Sequence, residues 1–136
     1  MDIMGRNLRA VLFLVIGLPL TSFLCRKEDM SGPEFRGRVA VLGMCGNITL
    51  SLIDGSLDTS RYRTGWKDPN TGITHPNAFR LENPCTVGFP ANIKAGDVFR
   101  FTVTESSTAD RNCMMCMAYY PTPDVGVSIR YLGPAN

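Results

Sequence analysis

Five cysteines, Cys25, Cys45, Cys85, Cys113 and Cys116, are the residues of this chain best equipped for chemistry. The last two stand as Cys113-Met114-Met115-Cys116, and Met117 follows directly, so sulfur occupies a continuous run of side chains. Three chemistries suit that pattern. The first is structural disulfides, which small exported domains use to staple an undersized core. Cys45, Cys85, Cys113 and Cys116 form an even set with three connectivities open. A bridge from Cys45 to Cys85 would close a loop of about 40 residues and contribute ~4 kcal/mol on the chain-entropy model, whereas Cys113 to Cys116 would contribute much less. The second is a soft metal site. Thiolate and thioether are the ligands cuprous ion prefers, and Cys113 and Cys116 with Met114, Met115 or Met117 could supply three of them. Zinc sites usually repeat a close ligand pair, and here only one such pair is present. The third is thiol exchange, which needs the pair at the start of a helix. Met117-Ala118-Tyr119-Tyr120-Pro121-Thr122-Pro123 does not continue as one. Disulfides lead, copper is the alternative, and redox exchange is disfavoured.

Nothing else assembles a catalytic set. His75 is the only histidine and precedes Pro76, no nucleophile elbow surrounds any serine, and no phosphate-binding glycine loop occurs. Glu105, Asp110 and Asp124 fall in one connecting region and read as polar loop residues. Trp66, Tyr62, Tyr119 and Tyr120 fall in expected loops; Trp66, Tyr119 and Tyr120 are candidates for stacking on sugar or base rings, although covering the ends of a barrel is the commoner role. The basic residues Arg36, Arg38, Arg61, Arg63, Arg80, Arg100 and Arg130 are spread along the sequence rather than concentrated in one stretch, so no nucleic-acid partner is expected. Net charge over the whole chain is +2.

The N-terminus has its own pattern. Arg6 and Arg9 precede an apolar stretch, Ala10 to Leu20, and the charged run from Arg26 to Asp29 follows Cys25. That is the layout of a secretory signal peptide. Even extended to Leu24 the stretch falls short of the ~20 residues a membrane-crossing helix needs. Residues 1–24 are therefore read as a signal segment and 25–36 as a tether. A cysteine placed like Cys25 is a candidate for lipidation, although Phe23 and Leu24 stand where that signal normally has small residues.

The remainder, 37–136, reads as one β domain. Arg38 to Met44 is apolar on both faces, Cys45-Gly46-Asn47 supplies a turn, and Asn47 to Ile53 alternates with Ile48, Leu50 and Leu52 on one face. Residues 56–72 show no sustained period and are expected to form a long loop. Further strands are predicted over Asn77 to Glu82, Val98 to Thr104 and Val125 to Tyr131, with Phe79, Leu81, Phe99, Phe101 and Val103 inward. Five strands in about 100 residues suit a mostly β, partly closed small barrel of the oligonucleotide/oligosaccharide-binding (OB) type, or a small sandwich.

With the leader, Cys25, GRVAVLGMCGNITLSL, AGDVFRFTVTE and CMMCMAYYPTPDVGVSIRYL in view, the chain resembles small β-barrel lipoproteins of Bacteroidota cell envelopes. The resemblance implies a compartment and a fold and transfers no site residue. The expectation is an exported, lipid-anchored, non-catalytic envelope module without a cofactor. Its partners would be the membrane, through the lipid, and an envelope protein or a glycan.

Overall fold

The computed structural model describes residues 32–105 and 118–135. The expected signal segment, Cys25, Asp110 and the run from Cys113 to Met117 lie outside the described residues.

The described chain is mostly β, with seven strands: β1 Glu34–Leu42, β2 Ile48–Asp54, β3 Arg63–Lys67, β4 Thr74–Leu81, β5 Val98–Val103, β6 Gly126–Val127 and β7 Ile129–Pro134. The sheet runs in the order β3-β4-β2-β1-β5-β7, all antiparallel. It does not close into a barrel. The short β6 bridges back to β4 in parallel through Arg80–Gly126 and Leu81–Val127 alone.

Each strand follows from its pattern, with instructive departures. β1 begins at Glu34, inside the expected tether, because the alternation of Phe35, Gly37 and Val39 (buried) with Glu34, Arg36 and Arg38 (exposed) extends upstream. Phe35 is tied down by a ring contact with Phe101 at 5.4 Å between centroids. β2 is buried on both faces, so Thr49 and Ser51, expected to face water, are covered, and their hydroxyls have no hydrogen-bond partner among the described residues. β3 lies where a loop was expected. Its five residues, RTGWK, are almost all exposed and carry no period of their own. Its partner imposes the register, from Arg63–Ala78 to Lys67–Thr74. The intervening turn is held by buried Asp68, whose carboxylate accepts from Asn70 N (2.9 Å) and Thr71 Oγ1 (2.7 Å). The last expected strand is split at Ser128 into β6 and β7.

Phe79, Phe99, Phe101, Leu50, Val39 and Ile129 are fully buried and form the centre of the core. Gly37 of β1 lies under these rings; a Cβ there would come within 2.9 Å of Phe101. The absence of a side chain lets β1 approach the aromatic layer. Asn83, just past β4, is the polar peg of this core. Its Nδ2 donates to Ile129 O at 2.7 Å and its Oδ1 accepts from Ile129 N at 2.9 Å. The side chain thus acts as an extra ladder partner where the last strand changes neighbours.

Candidate functional site

The two cysteines that can be located sit at one end of the sheet. Cys45 is in the 3₁₀ turn Met44–Gly46 between β1 and β2, at φ 61°, a conformation uncommon for any residue with a side chain. Cys85 follows the end of β4, and the pairing Thr49–Arg80 sets that end beside the start of β2. Both cysteines are disulfide-bonded. The segment 118–120 docks on the Cys45 turn. Asn47 Nδ2 donates to Ala118 O at 3.3 Å, and the Tyr120 ring takes the space over Gly43, where a Cβ would come within 2.7 Å of it. The chain leaving Met117 is therefore fixed against Cys45's own turn. Cys113, Cys116 and the candidate copper ligands Met114, Met115 and Met117 lie outside the described residues, as does Cys25. Among the described residues no three His, Cys, Asp or Glu side chains gather as a metal cluster would.

The stacking candidates are not brought together. Trp66 lies on β3, not in a loop, and stacks on His75 of β4 with centroids 6.0 Å apart and planes at 28°. Tyr119 is 87% exposed, at the β1–β2 turn. The registers put the Trp66–His75 pair near the first residues of β4 and the tyrosines near its last ones. Tyr62 packs against the core. The pairing with Trp66 also commits His75 to a ring contact; no cysteine or serine partner for it is found among the described residues.

Sequence reasoning missed a cleft at the end of β5. A depression of about 440 Å³ opens between the end of β5 and β6, lined by Arg61, Glu82, Val103, Glu105, Ser128 and their neighbours. Ser128 is buried and its hydroxyl has no hydrogen-bond partner among the described residues. Glu82 is within 3.5 Å of Arg80 and lies over Gly126. The cleft offers two carboxylates, Glu82 and Glu105, a guanidinium, Arg61, and two hydroxyls, Thr104 and Ser128, a polar lining that holds neither an imidazole nor a thiol. A polar residue interrupting an apolar strand, as Ser128 does between Val127 and Ile129, was the signal available.

Asp124 is placed by ion pairing rather than by catalysis. Its carboxylate takes both Arg63 Nε (2.8 Å) and Arg63 Nη2 (2.5 Å), tying the approach to β6 onto β3. The Arg63 hydrogen bond holds the Asp124 carboxyl below the usual range for aspartate. A lowered folded-state pKa means the pair's contribution is present above the ordinary aspartate range and is lost as pH falls through the folded pKa. The pair is exposed, so the effect on global stability is small. In a carboxyl-carbon NMR titration Asp124 is expected to protonate at lower pH than ordinary aspartate, and Arg63→Gln to move it upward; an unchanged titration in the variant would contradict the pairing.

Comparison with protein-family models, with curated proteins and with solved structures finds no match to this chain.

Proposed function

We propose that this protein is an exported, disulfide-stapled β module of a cell envelope, tethered through lipid on Cys25, with a non-catalytic binding or structural role. The observation that carries the reading is the sulfur arrangement. Cys45 and Cys85 are both in the bonded form, and the residues just after the Cys113–Met117 run are held on Cys45's turn. Cysteines spent on cross-links belong to an oxidising compartment, which agrees with the signal-like order of residues 1–25. The non-catalytic part is supported by His75, the one histidine of the sequence, whose ring stacks on Trp66.

Thiol titration of denatured protein isolated without reductant tests the reading. The result expected is no reactive thiol beyond Cys25. In a non-reduced peptide map, Cys45 is expected in the cross-linked fragment that contains Cys113 and Cys116, since Cys116 is only two residues from Ala118. Four reactive thiols, two of them protected by cuprous ion, would overturn the staple and favour copper handling by the Cys113–Met117 run.

A further inference from the structure

Arginines that are scattered in sequence meet on one face of the sheet. In the β1–β5 ladder Arg38 stands opposite Val98, Arg36 opposite Arg100 and Glu34 opposite Thr102. In the β5–β7 ladder Thr102 stands opposite Arg130. Directly paired residues share a face, and Phe35, Val39, Phe99, Phe101 and Ile129 occupy the other, buried one. Arg38, Arg36, Arg100 and Arg130 therefore form a diagonal row across three neighbouring strands, and all four are exposed. From strand spacings of ~4.8 Å and ~6.8 Å per two residues, the row is roughly 17 Å long.

Its charge is under-compensated. Arg100 reaches Glu34 at 3.3 Å, while among the described residues Arg36, Arg38 and Arg130 form no ion pair. Among the described residues Asp54 stands opposite Arg36, and its carboxylate accepts from Gly55 N. Like charges directly opposite each other across a ladder oppose pairing, so Arg36 facing Arg100 costs the fold something that an anion would relieve. Guanidinium groups match sulfate, phosphate and carboxylate oxygens bidentately.

We infer that this face binds a linear anionic polysaccharide, its charged groups lying along the arginine row. This goes beyond the proposed role, which does not use the face. A polysaccharide fits better than a nucleic acid because the aromatic rings of β1, β5 and β7 point into the core, leaving nothing on this face for bases to stack on. It fits better than a membrane because Leu132 is the only exposed large apolar side chain on these strands' contribution to the face, and it is only 37% exposed.

The test is binding of the full chain to immobilised heparin, as a probe of sulfated polysaccharide, at physiological salt. Wild type is expected to bind, more weakly as salt rises. Arg36→Ser with Arg130→Ser is expected to weaken binding about tenfold or more, and Arg63→Ser with Lys67→Ser, an equal loss of charge on β3, three strands away from β1, to leave it unchanged. Neither double variant should melt below wild type, which separates lost binding from lost folding. No wild-type binding, or equal loss in the two variants, would overturn the proposal. Tighter binding to single-stranded DNA or to vesicles of equimolar phosphatidylcholine and phosphatidylglycerol would overturn it in favour of those partners.

Discussion

Phe101→Ala is expected to destabilise the domain by about 3–5 kcal/mol, close to the whole stability of many domains of this size. Phe101 is fully buried in β5, the strand between β1 and β7. Its ring lies 5.4 Å from Phe35, 5.7 Å from Phe99 and 6.1 Å from Phe79. Truncation removes a shared contact of three other rings, contributed by three different strands. Gly37, which lies against the Phe101 ring and opposite Phe99 in the ladder, has no side chain to move into the void. Urea denaturation should show the midpoint falling sharply with little change in slope. Ile53→Ala, at a 43% exposed position on β2, should shift stability by no more than about 0.5 kcal/mol. Equal costs at the two positions would mean that the aromatic layer is not the centre of the core.

Asn83→Ala is expected to cost about 2–4 kcal/mol, from two buried backbone groups of Ile129 losing their partners. A one-sided change gives a sharper reading. Asn83→Asp retains an acceptor for Ile129 N but sets a carboxylate against Ile129 O, which lies 2.7 Å from the present amide nitrogen. Burial and the facing carbonyl would raise that carboxyl's folded-state pKa above its unfolded value. The folded state then binds more protons than the unfolded one, so the variant should recover stability as pH falls through the raised pKa, opposite in sign to wild-type acid unfolding. A pH-independent deficit would show that Asn83 only fills space.

The strands that sequence reasoning located are those whose side chains sort cleanly into two environments. Phe99, Phe101 and Val103 against Arg100 and Thr102 declare β5, and Ile48, Leu50 and Leu52 declare one face of β2. β3 was illegible because nearly all of it is exposed; its strand conformation comes from β4 and from the Asp68 turn, both non-local to its own pattern. The upstream half of β1 was hidden by Ser31-Gly32-Pro33, which made Glu34–Arg36 look like linker although Phe35 was already in phase. Buried Thr49 and Ser51 broke the rule that polar alternates mark solvent, because β2 is covered on both sides.

The functional surfaces were harder. The cysteines announced themselves by type, yet spacing could not say which would meet, since that depends on the return of residues 118–120 to the β1–β2 turn. The arginine row was invisible for the same reason: Arg36 and Arg100 are 64 positions apart in the chain and become neighbours only through the β1–β5 register. The cleft beside Ser128 arises where β6 leaves one partner and β7 takes another, a property of the strand exchange rather than of any motif.

The most direct measurement is the intact mass of the protein recovered from its native cells, alkylated under denaturing conditions without reduction. The result expected is a chain that starts at Cys25 and carries lipid there, with Cys45, Cys85, Cys113 and Cys116 all unalkylated. An uncut chain of 136 residues bearing an alkyl group on every cysteine would contradict export and disulfide stapling together.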